Sequence, residues 1–143
     1  MLNESYWNPL VPELTVSDLK TSLRFYGAVG FTIRFQRENP SFVYLELGQA
    51  QLMLEQEHSN GWNIYPLDRP LGRGVNFQIE VSALDCIVEA LGALGVQLFR
   101  EAEETWYAVS SNQEEGQREL LVQDPDGYLL RFTEHLGSRL RDA

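Results

Sequence analysis

The chain has 143 residues, 43% hydrophobic and 22% charged, which suits one globular domain large enough to bury a core. Its 21 acidic residues against 11 Lys and Arg leave a formal net charge of −10, which argues against nucleic acid or an anionic membrane as partner and suits a cationic ligand. A lone cysteine, Cys86, leaves no internal disulfide; with no secretion signal in the first twenty residues and no bilayer-length apolar run, a soluble cytoplasmic protein is expected.

Residues 1–8 read as an arm. Leu10 to Val16 alternates and reads as a strand, with Pro12 unable to donate to a ladder. Ser17 or Asp18 caps a helix that carries Leu19, Leu23 and Tyr26 on one face and ends near Gly27–Gly30. Three further strands are expected at Phe31–Gln36, Ser41–Leu47 and Gln51–Gln56. Residues 57–73 hold Asn60, Gly61, Pro66, Pro70 and Gly72 without a clean period, so they read as a long linker, and long linkers are often functional.

A second set follows. Gly74–Val81 alternates, Ser82 with Asp85 reads as a capping box, and Leu84, Ile87, Val88, Leu91 and Leu94 stripe a helix. Gln97–Arg100, extended irregularly through Trp106–Val109, then Gln117–Gln123 and Gly127–Thr133 read as strands. Between the last two stands Asp124-Pro125-Asp126-Gly127, a turn in which proline presets φ and glycine accepts positive φ.

Both halves therefore read β-α-β-β-β, and they match in residues. A displacement of 65 pairs Val16 with Val81, Leu19 with Leu84 and Gly27 with Gly92; a displacement of 76 pairs Glu55 with Arg131. One helix per module covers one sheet face and leaves the other for a shared concave surface. Leu14, Val16, Ile79, Val81, Leu130 and Phe132 are expected to face the helices. Val11, Glu13, Thr15, Met53, Glu55, Asn76, Gln78, Glu80, Leu129 and Arg131 are expected on the concave side.

The paired modules, with Val16-Ser17-Asp18-Leu19, Arg24-Phe25-Tyr26, Leu52-Met53-Leu54-Glu55 and the Asp-Pro-Asp-Gly turn in place, resemble the vicinal oxygen chelate superfamily over roughly residues 9–136. Within it they are most similar to the glyoxalase/bleomycin-resistance proteins. The resemblance implies an α+β fold of two βαβββ modules (9–56 and 74–136, joined by 57–73) in a cup-shaped, partly open barrel, usually as a homodimer. It also implies four equivalent metal-ligand points, which fall here on Val11, Glu55, Asn76 and Arg131. Valine cannot ligate, asparagine is a poor ligand and arginine repels a cation, so no metal, no cofactor and no catalytic residue is expected.

What remains is the metal-free, drug-sequestering branch: stoichiometric binding of a small, cationic aromatic compound. The ligand-binding candidates are Glu13, Phe35, Tyr44, Met53, Glu55, Trp62, Asn76, Gln78, Glu80, Trp106, Tyr107 and Arg131. Glu55 is expected to neutralise Arg131, with Asn76 adding a hydrogen bond. His58 and His135 read as surface residues, Cys86 as semi-buried, and Glu101, Glu103, Glu104, Glu114 and Glu115 as a solvated acidic face. One departure stands out: the Trp-Gly pair that tends to precede the seventh strand in the nearest drug-binding pattern is replaced by Glu115-Gly116, which puts bleomycin itself in doubt as ligand. The alternatives are a metal-dependent lyase, isomerase or dioxygenase built on Glu55 with His58 or His135, and a non-catalytic interaction domain.

Overall fold

Two strand periods and two helical stripes condense into two four-stranded sheets, each backed by one helix. The computed structural model describes residues 6–141, so the first five residues of the expected arm lie outside it. The elements are β1 (Glu13–Val16), α1 (Leu19–Ala28), β2 (Thr32–Arg37), β3 (Phe42–Leu47), β4 (Ala50–Gln56), β5 (Asn76–Glu80), α2 (Leu84–Ala93), β6 (Arg100–Ala108), β7 (Gln113–Gln123) and β8 (Leu129–Leu140). The sheets run β1-β4-β3-β2 and β5-β8-β7-β6. In each, the first strand is parallel to the last and the remaining pairs are antiparallel. The sheets do not close on one another, which leaves a partly open cup. No helix among the described residues is long and apolar enough to cross a membrane.

The period-2 pattern sorts the faces as expected. Leu14, Val16, Ile79, Leu130 and Phe132 are buried beneath the helices in one core that also takes in Tyr26, Leu84 and Leu91, with Val81 half-buried against it. Burying each such side chain contributes roughly 1.5–3 kcal/mol. Several boundaries differ from the expected ones. β1 begins at Glu13 rather than Leu10, because Pro9 and Pro12 have no N–H to give; the Pro12 carbonyl still accepts from Met53 N (2.9 Å). β6 is a continuous strand, β7 starts at Gln113 and β8 runs on to Leu140. These extensions are largely polar and held by cross-strand pairs such as Arg139–Glu114 (2.7 Å) and His135–Glu115 (2.9 Å), so they carry no hydrophobic alternation to betray them. Glu114 is thus ion-paired and Glu115 hydrogen-bonded within the sheet, while Glu101, Glu103 and Glu104 are exposed.

Helix capping departs from local sequence logic. Asp18 caps α1 as expected, accepting from Lys20 N and the Thr21 hydroxyl. The Ser82 box does not form, since Ala83 is the cap residue and bonds nothing with its side chain. Instead a residue from the neighbouring strand reaches each helix start: Gln56 Oε1 accepts from Leu19 N (2.9 Å), and Glu134 Oε1 accepts from Leu84 N (2.7 Å). A carboxylate there also complements the helix dipole.

That matched pair corrects the internal overlay. If Leu19 corresponds to Leu84, then Gln56 corresponds to Glu134, and strand register agrees: Thr15 pairs with Glu55 as Glu80 pairs with Thr133. The counterpart of Glu55 is therefore Thr133, and that of Arg131 is Met53, two residues away from the expected alignment. Glu134→Ala should lower unfolding free energy by about 1 kcal/mol, the worth of a cap, whereas Ser82→Ala should change it by less than about 0.5 kcal/mol; urea titration of both variants checks this.

The Asp-Pro-Asp-Gly turn ties the modules together. Asp124, buried, accepts from the Tyr26 hydroxyl (2.6 Å), Asp126 N and Tyr128 N. Asp126, also buried, accepts from Ser17 N and from Arg69 (2.7 Å), while the Tyr128 hydroxyl donates to Thr15 O (2.9 Å). Gly127 holds φ at +101°, and a Cβ there would lie 2.5 Å from Pro70. Burial raises the Asp124 carboxyl to about 6, against the pull of its three donors. An acid whose folded pKa is raised adds stability in full below its unfolded value of 3.8 and loses it as pH climbs through 6. Measured against Asp124→Asn, the wild-type unfolding free energy from urea titration should therefore fall between pH 4 and 6, by on the order of 3 kcal/mol.

Candidate functional site

Alternation places two sets of polar side chains on the faces that the helices leave free, one on each sheet. On the first, Glu13 and Met53 are register partners, as are Thr15 and Glu55. Glu13 is pushed above the ordinary carboxylate range by burial and by the charge of Glu55, with Arg37 pulling it part of the way back. Linker residues close over this face. The Thr15 hydroxyl donates to Asn63 Oδ1 (2.9 Å), and Glu55 Oε1 meets His58 Nε2 (3.0 Å). Asn60 N donates to His58 Nδ1 (3.3 Å), which leaves Nε2 as the ring nitrogen that donates to Glu55. Expected on the surface, His58 is instead half-buried, with both ring nitrogens engaged. His135, far from it on the β8 extension, is bonded to Glu115.

Beside the carboxylates stands an aromatic group. Phe35 stacks on Tyr44 (centroids 5.3 Å) and tilts against Phe42 (5.8 Å), with Arg37 over Phe42 at 4.1 Å. Trp7 packs edge-on against Tyr44 (5.0 Å) and Phe35 (5.9 Å), beneath the Arg34 guanidinium (3.7 Å). The arm is pinned there by Gln51, which accepts from Asn8 N and donates to Tyr6 O, and by Arg34, which also donates to Tyr6 O. The candidates Phe35 and Tyr44 thus lie against the protein's own arm. A cavity of about 850 Å³ opens next to it, lined by Tyr6, Thr32, Ile33, Arg34, Glu46 and Gln49 among others. None of the sequence-derived site residues lines it.

On the second sheet, Arg131 does not pair with Glu55. Its Nη1 stands 3.6 Å from Glu119 Oε2 on β7, the adjacent strand of its own sheet. A within-sheet partner one strand away needs no closure across the cup, which is why it wins over Glu55. Asn76 is exposed and gives Arg131 no hydrogen bond. The Tyr107 hydroxyl donates to Glu119 Oε1, and this bond, followed by burial and the charge of Glu119, raises the phenol above its ordinary range. Thr133, the register partner of Glu119, is wholly buried. Arg131 Nε, Glu119 Oε2 and Thr133 Oγ1 are all buried without a hydrogen-bond partner in the protein. Native folds meet most such atoms with a protein group, a water, an ion or a ligand.

The remaining candidates scatter. Gln78, register partner of Arg131, and Glu80 lie on the free face and are exposed. Trp62 is 94% exposed on the linker. Trp106 stands on the opposite, helix-side face, where its ring lies over Gly116 beneath Arg139 (3.9 Å) and its indole N–H donates to Glu104. Cys86 is exposed rather than semi-buried. Glu119 and Thr133 were missed because 117–123 was read as a strand without its faces being assigned; the correct overlay of Glu55 on Thr133 would have found the second of them.

The donors at the would-be metal points do not fit a divalent ion. Val11 offers nothing, Arg131 brings a guanidinium, its counterpart Met53 offers only a thioether, and the neighbouring Glu55 oxygen that faces His58 is taken. Among the described residues, no three His, Cys, Asp or Glu side chains gather as a metal would require. No protein-family model and no curated protein matches the chain. Solved structures do. A virulence protein from Salmonella typhimurium is 21% identical with a TM-score of 0.64, over 92% of this chain and 99% of that one. A glyoxylase/bleomycin resistance protein/dioxygenase domain from Frankia sp. is 20% identical with a TM-score of 0.64, over 92% and 94%. A glyoxalase/bleomycin resistance protein/dioxygenase from Alicyclobacillus acidocaldarius is 16% identical with a TM-score of 0.61, over 95% and 96%. At these identities the likeness is one of fold.

If Glu55 is what holds Glu13 up, Glu55→Gln should bring the Glu13 pKa down toward 4.5 without reaching it, because the burial remains. Carboxyl-detected NMR titration of both proteins reads the difference; an unchanged Glu13 curve would remove the coupling.

Proposed function

We propose that this chain, whose fold is that of the glyoxalase/bleomycin resistance/dioxygenase superfamily, binds and sequesters a small cationic aromatic compound without a metal. The observation that carries the reading is the placing of Glu13 and Glu55 together on the free face of the first sheet, where burial and then the charge of Glu55 disfavour the charged form of Glu13. A ligand cation set between them offsets that penalty, which Arg37 relieves only in part. The adjoining Phe35, Phe42 and Tyr44 rings supply a flat apolar surface for an aromatic body once Trp7 moves aside. The net charge of −10 draws such a ligand in from a distance. No bond is made or broken in this scheme.

A homodimer belongs to the same proposal. Leu10, Trp62 and Ile64 are between 85% and 95% exposed, and a second copy of the chain is the partner that would cover them.

Calorimetric titration with bleomycin-type and other cationic aromatic compounds tests the binding. The expected result is saturable binding, weakened at high salt and at acidic pH as Glu13 takes up a proton, and unchanged by a chelator. Binding that a chelator abolishes, or turnover that appears on adding a divalent metal, would overturn it in favour of a metal-dependent enzyme.

A further inference from the structure

The polar cluster on β7 and β8 specifies more than a charge. Arg131 and Glu119 stand 3.6 Å apart and cancel each other's charge. What they lack is hydrogen bonds: Arg131 Nε needs an acceptor, Glu119 Oε2 needs a donor, and the Thr133 hydroxyl can take either role. A ligand carboxylate would satisfy Arg131 but repel Glu119, and a ligand ammonium would do the reverse. An uncharged group with a donor and an acceptor side by side satisfies both and leaves the ion pair intact.

We infer that this cluster is a second binding subsite, specific for an uncharged amide-type edge: a carboxamide, a ureido group or a heterocyclic lactam. Its three unmet atoms are screened from solvent, whereas Tyr107 is 41% exposed and holds the other Glu119 oxygen through its hydroxyl. Rotation of Tyr107 off Glu119 is the entry step, after which Gln78, exposed beside Arg131, borders the bound group. The inference deepens the proposed binding function but stands on a different sheet from the carboxylates that carry it. The ligand then has two recognisable ends, a cation and a neutral hydrogen-bonding edge.

Three probes of one shape separate the possibilities: benzamide, benzoate and benzylamine, titrated into nitrogen-15-labelled protein. The Arg131 Nε–H resonance is assigned by its loss in Arg131→Lys. Benzamide should move that resonance, with benzoate and benzylamine binding there roughly tenfold more weakly or worse. Glu119→Gln leaves Arg131 uncancelled and should reverse the order, so that benzoate becomes the tighter probe. Wild-type protein that prefers benzoate, or a Glu119→Gln variant that keeps the wild-type order, overturns the inference. Benzylamine shifts near Glu13 and Glu55 with no response of Arg131 to benzamide overturn it while leaving the cation-binding reading in place. No response to any probe sinks both. Should Glu119→Gln fail to fold, the wild-type series alone decides.

Discussion

Two buried carboxylates in one turn hold this molecule together. Asp124 reaches α1 through Tyr26, Asp126 reaches the β1–α1 junction through Ser17 and the linker through Arg69, and Tyr128 reaches β1 through Thr15. A four-residue turn of the second module thus bonds to three parts of the chain before it. Burying carboxylates is costly, and the raised pKa of Asp124 shows that cost, but each oxygen is met by strong donors. Removing a donor would leave a buried charge unmet, so the arrangement fixes the relation of the modules more stringently than apolar packing could.

Most of the fold was legible because its signals are local. Alternation in Leu14–Val16 and Phe77–Val81, the stripe of α2, and the Asp-Pro-Asp-Gly turn each report one segment's surroundings. What was not legible depended on distant partners. The cap on α2 comes from Glu134, fifty residues away, and nothing near Leu84 announces it. The β7–β8 extension is largely polar and stabilised pair by pair, so it lacks the pattern that strand reading depends on. The two-residue error in overlaying β4 on β8 arose because both strands alternate, and a slip of two preserves every inside–outside assignment.

That slip decided how much of the site could be read. Glu13, Glu55 and Arg131 were recognisable as polar groups on free faces, and the structure places them there, whereas Tyr107 was legible only as an aromatic. Their partners were not. Arg131 meets Glu119 rather than Glu55 because register, which the sequence does not state, sets Glu119 beside it. Phe35 and Tyr44 were legible as aromatics, but not as rings already in contact with Trp7, since the arm has no period of its own. Trp106 faces the wrong way for a reason of parity alone: it sits one residue from Tyr107 on a regular strand.

The matched caps of Gln56 and Glu134 have a consequence for how such a protein can change. Each binds a helix start from the position immediately after an inward-facing strand residue, Glu55 in one module and Thr133 in the other. The height of those positions is therefore set by helix and strand backbone, whatever side chains occupy them. The molecule carries the same frame twice, furnished once with crowded acids and once with a cancelled ion pair. Divergence between the copies can then proceed by exchanging side chains alone, each module free to acquire its own chemistry while the backbone stays still.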